Sequence, residues 1–360
     1  MARPTTVALL YNDIPGGEEP ASKIDFSPEA LGFTPYFDLE ETGAEQEYAS
    51  IEKALAEAGY KVVSFNVKDR FERLFNFLTR RKFDVIFNLI EFFHSRPENE
   101  MLVAGFFDLL QVPYTGAPPL ALATCQNKPL AKELFRAHRL PTARSFTVRK
   151  MDEFPTRHGL RYPVIVKPAW EDGSGGIENA SIVKNLRSLR ARVDFVLSDF
   201  KMPVLIEEYI DGRELNVAVL GNGTKKQVLP ISEIVFDTMP DELYKIVSYQ
   251  AKWDPHHAAY HTTIPSCPAD IPQKTALLAQ QYAFKATEIM GTRDYARVDM
   301  RMNKRGELFI LEVNPNPNLS EGTGIARSAE AAHLKFSDLL RNITESALER
   351  AHLVEEKDAN

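Results

Sequence analysis

Four polar side chains that suit a metal and phosphate site interrupt two otherwise apolar segments of this chain. The first segment carries Arg297 and Asp299. The second segment follows a turn at residues 303–306 and carries Glu312 and Asn314. Because side chains alternate along a strand with a period of two, all four are predicted to share one face of a β-hairpin. Two carboxylates and an amide oxygen suit Mg²⁺, and the arginine can bind phosphates, so the sequence predicts phosphoryl transfer from a nucleotide.

The register of this hairpin is predicted from its turn. The expected pairs are Met302 with Glu307, Arg297 with Glu312, and Asp299 with Ile310. The alternative interpretation is that the polar residues form only the solvated face of a hairpin. The segments around them are too apolar for a solvated edge, so we favour the metal site.

Length and composition limit the class of protein. With 360 residues, two or three domains are expected. Hydrophobic residues at 44% and charged residues at 26% are typical of an ordinary soluble protein, and no run is long enough to cross a membrane. The net charge of −7 argues against a nucleic-acid surface. Cys125 and Cys267 are far apart, so no disulfide framework or zinc site is expected, and a cytoplasmic location is predicted.

The order of apolar segments predicts an α/β domain followed by α+β units. Strands at 6–11, 61–65 and 84–89 alternate with helices at 45–59 and 71–81, which predicts a parallel sheet. A long loop is predicted from Asn12 to about Gly43. Later predicted elements are helices at 128–139, 273–291 and 336–350, strands at 145–148, 162–168 and 214–220, and a strand that leads into a connector over 203–212. The predicted domains are 1–122, 123–212 and 213–352, with a polar tail at 353–360.

A lysine followed by a glycine-rich loop indicates a second phosphate-binding element. Lys167 comes at the end of the buried strand 162–168, and the loop 171–177 contains three glycines and Ser174. Glycines let backbone N–H groups face an anion. A glycine-rich loop alone is weak evidence, but the lysine at the strand end strengthens the prediction.

These motifs together resemble the ATP-grasp superfamily, and within it the D-alanine–D-alanine ligase-like carboxylate–amine ligases. The resemblance covers nearly the whole chain and depends on the order of the motifs. The matching segments are 112–116 with Lys128, 164–168 with the glycine loop, 206–210 with Glu214, then Lys252, 297–299 and 311–314. The resemblance implies an ATP-grasp fold with a preceding parallel-sheet domain, in which ATP is held between two α+β subdomains.

The resemblance also implies a role for individual residues. For ATP, these are Lys128 and Lys167 at the phosphates, Ser174 in the glycine loop, Glu207 at the adenine amino group, the backbone of Tyr209 and Ile210 at the other adenine edge, and Glu214 at the ribose. For two Mg²⁺ ions, which Mn²⁺ could replace, they are Asp299, Glu312 and Asn314. For the reaction, they are Lys252 at the transferred phosphate, Arg297 at the phosphoryl group and tetrahedral intermediate, and Glu45 at the ammonium of the first substrate.

The substrate-side segments differ from those of D-alanine–D-alanine ligases. Residues 88–95, 170–174 and 316–324 replace the histidine–glycine, serine-rich and Pro-Gly…Ser-Leu motifs, of which the last holds a carboxylate. The acceptor site is therefore expected to be rebuilt. Candidate pocket residues are Glu91, Trp170, Glu233, Tyr249, Trp253 and His261, although a lone histidine such as the last is more often structural.

The predicted function is therefore an ATP- and Mg²⁺-dependent ligase that forms an amide bond through an acylphosphate. Its substrates are expected to be amino acids or small peptide-like molecules, with no nucleic-acid or membrane partner, and the resemblance suggests a homodimer. The alternatives are a true D-alanine–D-alanine ligase, another ATP-grasp activity such as imine formation or phosphotransfer without amine capture, and a nucleotide-binding regulatory protein without turnover.

Overall fold

The computed structural model describes residues 3–13, 33–37, 43–155 and 157–358. Its first unit is a three-stranded parallel sheet with the order β2-β1-β3. The elements are β1 (Thr6–Tyr11), α1 (Ala44–Glu57), β2 (Lys61–Asn66), α2 (Phe71–Arg80), β3 (Val85–Leu89) and α3 (Glu100–Leu109). The predicted β-α-β-α-β order is confirmed. Most of the predicted loop between β1 and α1 lies outside the described residues.

The second unit is a four-stranded antiparallel sheet with the order β4-β7-β5-β6. Its elements are α4 (Pro119–Gln126), α5 (Lys128–Ala137), β4 (Ser145–Val148), β5 (Val164–Pro168), β6 (Ile182–Val183), α6 (Leu186–Asp199) and β7 (Val204–Glu208). Helix α6 packs its apolar face on this sheet, where Leu189, Val193 and Val196 meet Val164 and Ile206. The turn after β5 is the predicted glycine loop.

The third unit is a six-stranded antiparallel sheet with the order β11-β10-β8-β12-β13, and β9 pairs with β8. Its elements are β8 (Gly212–Leu220), β9 (Gln227–Val228), β10 (Ser232–Val235), α7 (Tyr249–Trp253), α8 (Ala258–Thr262), β11 (Ile264–Ser266), α9 (Gln273–Met290), β12 (Tyr295–Asn303), β13 (Leu308–Asn314), α10 (Gly324–Ala331) and α11 (Phe336–Asp358). The predicted mixture of α/β and α+β parts is confirmed, while the domain limits at 122 and 212 stay predictions.

One hydrophobic cluster joins the first and third units. Val7 and Leu9 of β1 and Leu339 of α11 belong to the same buried cluster as Ala218 of β8 and Tyr295 of β12. Helices α5 and α9 pack on the opposite face of the six-stranded sheet. Because the cluster holds the parallel sheet against one face of the six-stranded sheet, the polar residues at its border line a cleft.

The hairpin of β12 and β13 forms as predicted, but its predicted register is wrong. The observed pairs are Met302 with Leu308, Asp299 with Glu312, and Arg297 with Asn314. The turn takes in one more residue than expected, since the Asn303 N–H donates to the Glu307 carbonyl over 3.0 Å. A β-bulge beside Met300 then leaves Leu311 without a partner and shifts the register by a further residue. The two corrections bring both carboxylates directly opposite each other.

The closing helix is longer than predicted. Helix α11 continues to Asp358, whereas the helix was predicted from the sequence to end at Arg350, with a polar tail at 353–360. No glycine or proline interrupts this segment, and glutamate and lysine are good helix formers. Among the described residues no helix is long and apolar enough to cross a membrane. The cytoplasmic location stays a prediction.

Candidate active site

The two opposed carboxylates of the hairpin form the centre of the site. Asp299 is held from three sides, since it accepts hydrogen bonds from Asn216 Nδ2 (2.7 Å), from Arg297 Nε (2.7 Å) and Nη2 (2.8 Å), and from Asn314 Nδ2 (2.8 Å). Burial lowers the pKa of Arg297, but the charge of Asp299 outweighs it and raises that pKa overall. Glu312 lies directly across from Asp299. The structure therefore brings together the four residues that the sequence places on one face.

The donor set at this point fits a hard divalent cation. Asn314 donates through its nitrogen, which leaves its amide oxygen for a metal, next to the carboxylates of Asp299 and Glu312. These are oxygen ligands of the kind that Mg²⁺ prefers. The described residues contain no group of three His, Cys, Asp or Glu side chains that could hold a metal. A cation here would therefore need the Asn314 oxygen and oxygens from a phosphate or water.

Lys128 connects the second unit to this carboxylate pair. Its Nζ lies 4.0 Å from Glu312 Oε2 and also donates to the carbonyl of Glu171 in the glycine loop. The lysine is at the first position of α5, where the Asn127 side chain caps the helix by accepting from the Leu130 N–H. The cap therefore fixes the start of α5, and the lysine at this start lies close to the carboxylate of Glu312.

A buried cluster of three charges lies beside Lys128. Glu207, 1% exposed on β7, pairs with Lys167 Nζ on β5 at 2.9 Å and with Lys132 Nζ on α5. Lys132 is also 1% exposed, and it donates to Thr142 Oγ1 over 2.8 Å. Lys132 was not predicted from the sequence, although its position among the apolar residues of an amphipathic helix is the signal that could have revealed it.

The charges of this cluster sustain one another. Burial favours neutral Glu207, but Lys132 and Lys167 outweigh it and lower its pKa to about 2. Burial lowers the pKa of Lys132, whereas for Lys167 the charges of Glu207 and Glu312 outweigh burial and raise the pKa. Two cations and one anion leave a net positive charge at a buried position. Such a charge favours binding of a polyanion such as a nucleotide phosphate.

Arg301 is a second site residue that was not predicted from the sequence. It contacts the segment that is predicted to bind adenine and ribose. It donates to the Ile210 carbonyl (3.0 Å) and to Glu214 Oε2 (3.0 Å), and lies 3.4 Å from the Tyr209 hydroxyl. Burial raises the pKa of Glu214, and Arg301 opposes that rise. The Tyr209 N–H donates to Pro163, while the Ile210 N–H has no partner within the part of the chain that the structure describes. That N–H is therefore available to a base edge.

The glycine loop is closed against the segment that carries Lys252. Ser174 Oγ donates to the Val247 carbonyl (2.8 Å), Trp253 Nε1 donates to the Gly173 carbonyl (2.8 Å), and the Tyr249 N–H donates to Ile177 (2.7 Å). The hydroxyl of Ser174 thus joins two loops, and its contact with a cofactor stays a prediction. Lys252 itself is exposed and lies 5.2 Å from the Trp253 ring centre.

Carboxylates line the wall of the cleft that the first unit contributes. Burial, followed by Asp172, raises the pKa of Glu91 to about 7, and Lys252 opposes this rise. Burial also raises the pKa of Glu100 to about 8, with further contributions from Glu91 and Asp172. Glu100 accepts from Asn316 Nδ2 over 2.7 Å. Carboxylates crowded in this way can hold an ammonium group.

Two candidate pocket residues from the sequence analysis are not in the cleft. Glu233 pairs across the sheet with Leu215, on the face opposite Asp299, and binds Arg213. His261 is buried, where its Nδ1 accepts the N–H groups of residues 36 and 37 and its Nε2 contacts the Pro255 carbonyl at 2.7 Å. Both residues were predicted to line the pocket from their neighbours in the sequence. Such neighbours show neither the sheet face on which a side chain lies nor the groups that a buried ring contacts.

The other candidates have less defined positions. Glu45 is exposed in the first turn of α1, near Tyr11, and no hydrogen bond or ion pair joins it to the charged residues above in the described structure. Its contact with a substrate ammonium stays a prediction. Trp170, 45% exposed, lies at the entrance to the glycine loop.

The crowded carboxylates make stability dependent on pH. The pKa of Glu100 is about 8 in the folded protein against an ordinary 4.5, so its contribution to stability is full below pH 4.5 and is lost as pH rises through 8. Glu100→Gln keeps the oxygen that accepts from Asn316 and removes the charge. We expect the variant to exceed the natural protein in melting temperature by about 2–4 °C at pH 9 and by less at pH 5.

Glu98→Gln is the matched control for this measurement, because Glu98 precedes the same helix and is exposed. Its pKa is lowered by its own backbone N–H and by Arg96, so this variant should gain nothing at pH 9. An equal gain for both variants, or no gain for Glu100→Gln, would contradict a crowded carboxylate at position 100.

Comparison with known proteins identifies relatives that match more than half of this chain. A family model described as the D-ala D-ala ligase C-terminus matches residues 134–345. The uncharacterized protein y4sG of Sinorhizobium fredii is 33% identical over 248 residues, which cover 69% of this chain and 70% of that protein. The D-alanine–D-alanine ligase of Desulfotalea psychrophila is 32% identical over 261 residues, covering 72% of this chain and 77% of the ligase.

The fold is also that of a solved ligase. The crystal structure of the D-alanine–D-alanine ligase from Bacillus anthracis complexed with ATP matches 97% of this chain and 99% of its own, with a TM-score of 0.71 and 19% identity. The predicted ATP-grasp fold is thereby confirmed. At the level of the family, these matches also confirm the prediction of an ADP-forming C–N ligase that uses ATP and Mg²⁺. The chain belongs to the D-alanine–D-alanine ligase family.

Proposed function

We propose that this protein uses Mg-ATP to activate the carboxylate of one amino acid or peptide-like substrate and joins it to the amine of another. The observation that carries the proposal is the placement of Asp299 opposite Glu312, with Arg297 beside them and Lys128 4.0 Å from Glu312. Negative ligands for a cation and positive partners for phosphate meet at one point of one cleft. Positioning and charge neutralisation are what phosphoryl transfer requires.

The chain's own residues would divide the work as follows. Lys128 and Lys167 bind nucleotide phosphates, Glu207 and the Ile210 N–H face the adenine, and Glu214 accepts from the ribose. Asp299, Glu312 and Asn314 hold Mg²⁺, which neutralises phosphate charge when bound. The substrate carboxylate takes the γ-phosphoryl group and ADP leaves; the neutral amine then attacks the acylphosphate, which releases inorganic phosphate and a proton as the amide forms.

The two sides of the cleft fit zwitterionic substrates. Lys252 would approach the transferred phosphate, and its segment is fastened to the glycine loop by Ser174 and Trp253. Arg297 remains cationic at any ordinary pH, so it can stabilise a phosphoryl group and a tetrahedral oxyanion. Glu91 and Glu100, on the wall of the first unit, would receive the ammonium of a substrate. A homodimer stays a prediction.

A true D-alanine–D-alanine ligase is the second candidate. Curated ligases of that name are 32% and 33% identical to this chain over 261 residues. The substrate-side segments 88–95 and 316–324 favour another acceptor, because both differ from the motifs of such ligases. The choice between the two candidates is therefore one of substrate rather than of chemistry.

Phosphate release from Mg-ATP tests the proposal. The purified protein would be assayed with D- and L-amino acids, singly and in pairs, with mass analysis of the products. We expect release with a specific pair and an amide product of the corresponding mass. Release with D-alanine alone, giving its dipeptide, would favour the second candidate. Binding of ATP without release for any pair would favour the regulatory alternative and contradict the proposal.

Removing one metal carboxylate should abolish turnover. We expect Glu312→Gln to lower phosphate release at least ~100-fold while leaving the melting temperature of the free protein nearly unchanged, because the amide cannot replace a charged metal ligand. Glu307→Gln, at the exposed turn of the same hairpin, is the control and should keep full activity. Substantial activity in Glu312→Gln would exclude the metal role.

Removing Lys132 should weaken nucleotide binding more than it slows the chemical step. Without Lys132, Glu207 loses one of the two cations that hold it ionised and oriented. We expect Lys132→Met to raise KM for ATP ~10-fold or more with a smaller change in kcat. Lys226→Met is the control, because Lys226 is also largely buried and paired, with Glu288, away from the cleft. An unchanged KM for ATP in folded Lys132→Met protein would leave Lys132 with a structural role only.

A further inference from the structure

Arg327 on α10 has a half-buried charge without an acidic partner. Its Nη1 donates to the Gly322 carbonyl, and its Nε is buried with no hydrogen bond. Within the described parts of the chain no carboxylate lies within ion-pair distance of it. Burial lowers the pKa of Arg327, and the nearby charge of Arg297 lowers it further. Burying a charge without a partner is costly, so this side chain is suited to an anion that comes from outside the protein.

Arg297 and Arg327 flank the first turn of α10. The Cδ of Arg297 would lie 3.5 Å from a Cβ placed on Gly324, the first residue of the helix. Helical side chains lean toward the N-terminus, and Arg327 accordingly reaches back to Gly322. The Thr323 side chain makes no capping hydrogen bond, so the first N–H groups of α10 remain available. The Arg327 guanidinium and these N–H groups together make this corner positive, because the charge of Arg297 is already offset by Asp299.

Arg327 lies on the opposite side of Arg297 from the proposed metal ligands. In the sheet order β10-β8-β12-β13, Arg297 is on β12, and Glu312 and Asn314 are on β13 to one side. Helix α10 packs over β8 and β10, on the other side of β12. Arg297 is already paired with Asp299, whereas Arg327 is not. The charge that is left unpaired on this side of β12 is therefore that of Arg327.

We propose that Arg327 selects an amine substrate that carries a second acidic group, as in a dicarboxylic amino acid or an acidic peptide. This inference rests on the proposed function. The resemblance aligns residues 316–324, which lead into α10, with the family segment that holds a substrate carboxylate. Arg327, one turn further along, then binds the additional carboxylate. A neutral acceptor of the same shape leaves the guanidinium unpaired.

Acceptors that differ only in charge test this inference. Glutamate against glutamine and aspartate against asparagine, in both chiral forms, would be compared in the phosphate-release assay with each candidate first substrate. We expect the acidic member of a pair to be preferred in kcat/KM by about tenfold or more. We expect Arg327→Met to remove that preference by lowering kcat/KM for the acidic acceptor alone, and Arg327→Lys to keep part of it.

Arg305→Met, at the exposed hairpin turn, is the matched control and should preserve the preference. An equal use of both members of a pair by the natural protein, or an equal loss with both in Arg327→Met, would overturn the inference. Ligation of neutral acceptors alone would overturn it while the proposed function stands.

If the protein shows no turnover, a binding measurement still tests the role of Arg327. Titration of the acidic and neutral acceptors into the protein with a non-hydrolysable ATP analogue and Mg²⁺ should give tighter binding of the acidic one, and Arg327→Met should lose that difference. Equal affinities would overturn the inference independently of catalysis. Tighter binding of the acidic acceptor without phosphate release would support the Arg327 role and contradict only the proposed reaction.

Discussion

A fully buried carboxylate between two lysines is the interaction on which the site depends. Glu207 on β7 joins Lys167 on β5 to Lys132 on α5, and Lys132 continues through Thr142 to the Ile310 carbonyl of β13. The chain of contacts therefore runs from the four-stranded sheet to the hairpin that carries Asp299 and Glu312. Each member would be costly to bury alone, so the three are stable only together. The pairing thus fixes the two sheets relative to each other at the place where a nucleotide would bind.

The cleft that results has walls of different charge. Carboxylates of the first unit face it from one side, where Glu91 and Glu100 have raised pKa values, and lysines of the second unit face it from another. Asp172 lies between them, and although burial alone would raise its pKa, Lys128 and the Gly173 N–H lower it overall. This carboxylate belongs to the glycine loop, which also contacts the segment of Lys252. The glycine loop therefore contacts both Lys128 and the segment that carries Lys252.

The sequence was sufficient for the parts of the site that local patterns encode. The alternation along β12 and β13 placed Arg297, Asp299, Glu312 and Asn314 on one face, because a strand repeats every two residues. The register was wrong, since neither the residue added to the turn nor the bulge at Leu311 has a distinct local signal.

Residues whose partners come from distant segments were harder to predict. Lys132 has ordinary helical spacing, and its meaning depends on Glu207, 75 positions later. Arg301 has the same strand alternation as Asp299, yet its role depends on the Ile210 carbonyl across the sheet. The pocket predictions for His261 and Glu233 were wrong for a related reason. Each side chain is bonded to partners that spacing in the sequence does not reveal.

Asp299 explains how opposite charges can be used on one sheet face without cancelling each other. It takes two hydrogen bonds from Arg297, which offset the charge of that arginine locally, whereas Glu312 lies 4.0 Å from Lys128. The side of the proposed metal ligands then remains negative. On the other side of Arg297, no described carboxylate lies within ion-pair distance of Arg327, so the side proposed to receive the amine substrate keeps a positive charge. The asymmetry around one arginine therefore gives the cleft a direction, from the proposed metal ligands toward the proposed amine site.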